Sequence, residues 1–197
     1  MRRKTAILLF PNLELLDFAG PYEVFSVADQ LQTGTLFDVY TVAAQPGPLR
    51  SINGLSVNPD YVLSEAPSPD LLIIPGGEGS KQVVQDAATL DWLRQVQPQA
   101  ELTLSVCTGA RILAHLGWLQ GMPYCTHHSA YEELARLVPD GDPRPLGRFV
   151  GSGNLYTAAG VAAGIDLSLH VLQLLCGTEV AQATSRYMEY PPQAEKK

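Results

Sequence analysis

Short, predominantly apolar runs alternate along the chain with longer stretches in which apolar residues recur every three or four positions. Ala6–Leu9, Phe37–Val42, Leu71–Ile74 and Leu102–Val106 are short runs of this kind, each bounded by Pro, Gly or polar residues. Runs apolar on both faces belong to strands buried on both faces, as in a parallel sheet sandwiched between helices. The helical period appears at 17–30, 89–96, 108–115, 129–138, 161–176 and 179–188. Repeated βαβ order predicts an α/β fold, doubly wound, with a mostly parallel sheet and helices on both faces. Two hairpins interrupt the alternation: 50–56, turning at Asn53-Gly54, and 149–158, turning at Gly153-Asn154.

With 197 residues and no low-complexity linker, the chain reads as a single domain over 1–190 with a short disordered tail at 191–197. The net charge of −7 argues against nucleic acid or an anionic membrane as the partner, because both require clustered Lys and Arg. Arg2, Arg3 and Lys4 precede an apolar run, as in a secretory leader, but that run ends at Pro11 after six residues, Thr5–Phe10. It is expected to be a core strand of a cytoplasmic protein. The three cysteines, Cys107, Cys125 and Cys176, form neither a CxxC pair nor a Cys/His cluster, so no structural metal and no disulfide framework is expected. Cys125 and Cys176 read as packing thiols.

Cys107 stands where the period changes from strand to helix, with Gly109 two residues on, which is the pattern of a nucleophile elbow. A side chain there projects beyond the carboxyl edge of the sheet, where open α/β folds bind ligands. Unpaired N–H groups at the start of the following helix are expected to lower the thiol pKa; the alternative is an inert core thiol. Pro75-Gly76-Gly77-Glu78-Gly79 follows a strand that ends at the same edge, and its N–H groups can approach a substrate closely, as in an oxyanion hole. The same loop also reads as an ordinary βα turn, and it lacks the GxGxxG and Walker patterns of nucleotide sites. Asp17, at the start of the first helix, reads as a cap. It joins the site if the first, third and fourth long strands are neighbours, since its carboxylate, the glycine N–H groups and the thiol then meet at one edge. His127 and His128 are candidates for a base or a structural hydrogen-bonder. Glu132 and Glu133 read as a solvated helix face.

Together these segments resemble the DJ-1/PfpI (class I glutamine amidotransferase-like) superfamily, and within it the isocyanide hydratase branch. The resemblance rests on Leu16-Asp17-Phe18-Ala19-Gly20-Pro21-Tyr22-Glu23-Val24-Phe25, Ile74-Pro75-Gly76-Gly77, Ser105-Val106-Cys107-Thr108-Gly109, Thr126-His127 and Ala159-Gly160-Val161-Ala162-Ala163-Gly164-Ile165-Asp166. It implies a flavodoxin-like fold, a homodimer, a small-molecule substrate, and no metal or organic cofactor. It also implies Cys107 as nucleophile, Asp17 as the acid beside it, Thr108 facing the site with its hydroxyl and N–H, Gly77 as a glycine-loop donor, and hydration of an isocyanide to an N-formamide. Protease-like members place a histidine where this chain has Thr108, so proteolysis is not expected. The sensor half of AraC-like regulators looks much the same, and a ligand or redox sensor is therefore one alternative; the absence of a DNA-binding tail favours a free-standing enzyme. Glyoxalase or deglycase chemistry, assisted by His127 and a glutamate, is another, weakened by Asp17 in the glutamate's place. His128 and Tyr124-Cys125 depart from the hydratase pattern, where an aromatic residue follows Thr-His.

Overall fold

The computed structural model describes residues 2–190; the tail expected at 191–197 lies outside them. In chain order the elements are β1 (Arg3–Leu9), α1 (Leu15–Leu31), β2 (Phe37–Ala43), β3 (Leu49–Arg50), β4 (Ser56–Val57), β5 (Tyr61–Val62), β6 (Leu71–Ile74), α2 (Ser80–Val83) and α3 (Ala87–Val96). They continue with β7 (Leu102–Ser105), α4 (Ala110–His115), β8 (Pro123–Tyr124), α5 (Tyr131–Leu137), β9 (Asp142–Pro143), β10 (Phe149–Ser152), β11 (Leu155–Ala158), α6 (Ala163–Cys176) and α7 (Thr178–Tyr187).

Seven strands form one sheet in the order β10-β11-β7-β6-β1-β2-β5. Neighbours run parallel except in the β10–β11 hairpin. All four residues of β6 are buried, as expected of a central strand covered on both faces by helices. The sheet and its flanking helices enclose one contiguous apolar core, and the fold is the doubly wound, flavodoxin-like α/β arrangement. Both expected hairpins are present, β3–β4 and β10–β11. β5 was not legible in the sequence: it has two residues, and Pro59 just precedes it.

Two features bear on the site. β1 and β7 flank β6, so the loops leaving their carboxyl ends converge. α1 and α6 also approach closely: a Cβ on Gly20 would stand 2.9 Å from Ile165 Cγ1, and one on Gly164 would stand 2.9 Å from Val106 Cγ1. The beginning of α6 therefore lies against the strand end that precedes Cys107. Pro21, within α1, has no N–H to offer the Asp17 carbonyl one turn back.

Candidate active site

Cys107 follows Val106, the last extended residue after β7, and starts a short 3-10 turn, Cys107–Gly109, that leads into α4. Its φ is 58°, a left-handed conformation that costs a non-glycine residue about 1–3 kcal/mol and persists only where its surroundings impose it. The surroundings do so from three sides. The Cys107 N–H donates to the Ala159 carbonyl at 2.9 Å, the Thr126 hydroxyl donates to the Cys107 carbonyl at 3.0 Å, and the Gly109 N–H donates to the Val106 carbonyl at 2.9 Å. Gly109 is required for space, since a Cβ there would lie 2.2 Å from the Ile74 carbonyl oxygen.

Asp17 is in the first turn of α1 but does not cap it. Its side chain is fully buried, and Oδ2 accepts from the Gly76 N–H at 3.0 Å, while Oδ1 has no hydrogen-bond partner. The carboxyl group faces the Cys107 thiol. With β1, β6 and β7 adjacent, the carboxyl group, the Gly76 N–H and the thiol lie together at one sheet edge, and the cap reading of Asp17 is corrected.

The expected fall in the thiol pKa is also corrected. Burial, followed by the neighbouring Asp17 charge, pushes Cys107 up to about 12, against the N–H groups of Val161 and Thr108 that face the sulfur and lower it. The following helix has only six residues and begins beyond the 3-10 turn, so its dipole does not offset the loss of water. Burial likewise raises Asp17 to about 7, opposed by the Gly76 hydrogen bond and by the facing Cys107 thiol. Below about pH 7 both groups keep their protons; above it the pair holds one negative charge. When it resides on sulfur, it meets the Val161 and Thr108 N–H groups.

The two loop glycines are placed otherwise than as free donors. The Gly76 N–H is directed at Asp17, and the Gly77 N–H donates to Thr108 Oγ1 at 2.8 Å. The Thr108 hydroxyl in turn lies 3.2 Å from the Gly77 carbonyl. Thr108 therefore faces the sulfur with its N–H while its hydroxyl fastens the glycine loop. Neither glycine accepts a side chain: a Cβ on Gly76 would lie 2.5 Å from Thr108 N, and one on Gly77, where φ is +114°, would lie 2.4 Å from Glu14 N.

His127 is half-buried. Its Nδ1 accepts from the Ser129 N–H at 3.3 Å and lies 2.7 Å from the Ser129 hydroxyl, and its ring rests where a Gly160 Cβ would stand, 2.7 Å from Cδ2. It thus backs the residue before Val161, whose own φ is 37°. Burial, then His128, lowers its pKa, while Glu14 raises it. His128 is exposed, its ring tilted by 40° against that of His127 with 4.1 Å between centroids. Cys125 is buried with its thiol 3.4 Å from the Arg144 carbonyl, and Cys176 is partly buried near the end of α6. A cavity of about 480 Å³, walled by Phe10, Ala43, Pro46, Arg50, Gly79 and Gln82, has neither Cys107 nor Asp17 in its lining. Among the described residues no cluster of three His, Cys, Asp or Glu side chains is arranged to hold a metal ion.

Sequence reasoning missed the Val161 N–H and a polar network behind the glycine loop. Glu133 is not merely a solvated residue: both its carboxylate oxygens accept from Arg111, each at 2.6 Å. The available signal was Arg111 itself, alone among apolar residues four positions after Cys107. Glu132 does fit the solvated reading, in an exposed pair with Arg136.

The DJ-1/PfpI family profile matches residues 3–174. The chain belongs to the DJ-1/PfpI family. Among DJ-1/PfpI relatives it is 35% identical over 194 residues to an isonitrile hydratase of Pseudomonas putida, covering 98% of this chain and 80% of that protein. It is 29% identical over 186 residues to the HTH-type transcriptional regulator GbdR of Pseudomonas aeruginosa, covering 93% of this chain but only 49% of the regulator. A solved ThiJ/PfpI family protein from Pseudomonas syringae superposes with a TM-score of 0.87 at 28% identity, over 99% of this chain and 78% of that one.

Proposed function

We propose that this DJ-1/PfpI protein is a cysteine-dependent lyase that hydrates an isocyanide to an N-substituted formamide, acting as a homodimer on a small-molecule substrate. The observation that carries the reading is the buried Asp17 carboxyl beside the Cys107 thiol, with one carboxyl oxygen unpartnered. The similarity to an isonitrile hydratase over nearly the whole chain supports it. In the thiolate–carboxylic acid form, the sulfur attacks the terminal carbon of R–N≡C, and the same carbon takes the Asp17 proton. The product is a thioimidate, R–N=CH–S–Cys107, with Asp17 ionised. Asp17 then removes a proton from water as the hydroxide adds to that carbon. The C–S bond breaks, the sulfur leaves as thiolate, and the proton of the added hydroxyl passes to nitrogen, so that R–NH–CHO departs and both groups are restored.

Thr108, where protease-like members carry histidine, supports the exclusion of proteolysis. The test is incubation with an alkyl or aryl isocyanide, with formamide followed by mass spectrometry, and separately with methylglyoxal. Formamide from the wild type and none from Cys107→Ala are expected; formamide from Cys107→Ala at the wild-type rate overturns the mechanism, and consumption of methylglyoxal alone favours the glyoxalase reading. A second reading, ligand binding without turnover, is favoured by the similarity to the HTH-type transcriptional regulator GbdR. It would show as saturable isocyanide binding with no formamide.

A further inference from the structure

Arg111 is buried, with 6% of its surface exposed, on the helix that continues the nucleophile elbow. A guanidinium in that position must place its donors, and the structure gives it partners on two other elements. Nε and Nη2 form a two-pronged pair with Glu133 of α5, and Nη1 donates to the Ser80 hydroxyl at the start of α2. Ser80 is fully buried, and its hydroxyl donates to the Gly77 carbonyl at 2.7 Å, with Thr108 Oγ1 at 3.4 Å. An unbroken chain of hydrogen bonds therefore runs from α5 through Arg111 and Ser80 to the glycine turn. That turn holds Asp17 through Gly76 and Thr108 through Gly77.

We propose that Arg111 is a positioning residue of the active site: held by Glu133, it fixes Ser80, and through Ser80 the Gly76-Gly77 turn that sets Asp17 and Thr108 against the Cys107 thiol. The inference rests on Cys107 being the working thiol, not on the isocyanide as substrate. Without this hold the Gly77 carbonyl keeps the Ser80 N–H and the Thr108 hydroxyl but loses the fixed Ser80 hydroxyl, so the turn is held less firmly and the Gly76 bond to Asp17 weakens. That bond favours the carboxylate, so the first proton of the site leaves at higher pH. The other titratable groups acting on Asp17 are Cys107 and Glu14, both left in place by the changes tested below.

The experiment is the pH profile of iodoacetamide alkylation at Cys107, read by peptide mass spectrometry, for Arg111→Met, Arg111→Lys and Ser80→Ala. All three are expected to alkylate about tenfold more slowly at neutral pH, the effect of losing a hydrogen bond near the upper end of the usual range, with a profile displaced upward. Lysine keeps the charge but cannot reproduce the fork, so it does not rescue. Arg136→Met, which breaks an exposed pair, serves as control and leaves the profile unchanged. Arg111→Met alone strands Glu133 and lowers stability, so the double variant Arg111→Met/Glu133→Leu removes both charges. It is expected to melt close to the wild type while keeping the displaced profile. Wild-type profiles in the double variant and in Ser80→Ala overturn the proposal, since the network is then structural only. Alkylation needs no isocyanide: a wild type inactive toward isocyanides but with displaced variant profiles overturns the hydratase reading alone, and the converse overturns only the role of Arg111.

Discussion

Asp17 and Cys107 both hold their protons more tightly than they would in water, because little solvent reaches either of them. For Asp17 the rise from 3.8 to about 7 makes the unfolded chain the stronger acid between those values. Its contribution to stability is fully present below pH 3.8 and is lost as pH rises through about 7, by about 4 kcal/mol at most. Asp17→Asn, which has no proton to lose there, is expected to be more stable than the wild type at pH 7.5 by about 1–3 kcal/mol, while losing formamide production. Urea titrations of both proteins at pH 5 and 7.5 check this; a difference that does not grow with pH contradicts it. Alkylation of Cys107 is expected to rise as pH passes about 7, where the shared site gives up its first proton. In Asp17→Asn that step disappears.

The site is assembled from element ends, and its tolerance is set by how closely these ends approach. At the elbow, α4 lies so near β6 that the Cβ of Gly109→Ala would meet backbone at 2.2 Å, with no flexible side chain to yield. The variant is expected to lose about 2–3 kcal/mol of stability and most Cys107 reactivity together, measured by thermal melts and alkylation. The start of α6 is held differently: buried Asp166 accepts from Arg148, which is half exposed, and from the Tyr190 hydroxyl at 2.9 Å. Losing the arginine strands a buried carboxylate, whereas neutralising the aspartate leaves a cation that water can reach. Arg148→Met is therefore expected to cost more than Asp166→Asn, about 2 kcal/mol against about 1. Equal melting temperatures for the two variants would contradict this.

At the scale of the molecule, one core serves both faces of a central sheet, and no helix of the described residues is long and apolar enough to cross a membrane. A chain built around one core is expected to unfold as a unit, so near- and far-UV circular dichroism should give coincident urea transitions. Separate midpoints would reveal a second cooperative unit. The charge network around Arg111 ties α4, α5 and α2 together, and its loss should lower the common midpoint rather than split the transition.

The residue pattern by itself determined the four long strands, the longer helices between and after them, the two hairpins and the elbow at Cys107, because these depend on hydrophobic period and turn chemistry over a few neighbouring residues; the two-residue strands β5, β8 and β9 carry too few residues for a period. It also brought Asp17, Gly76, Gly77 and Thr108 forward as candidates. Tertiary structure decided what those residues do. Strand adjacency made Asp17 a partner of the thiol instead of a cap. Loss of solvent raised the Cys107 pKa where a helix start by itself would lower it. The glycine N–H groups are directed at Asp17 and Thr108 because loop closure, not composition, aims them. Arg111 and Glu133 are 22 positions apart, and only the packing of α4 on α5 brings them within hydrogen-bonding distance.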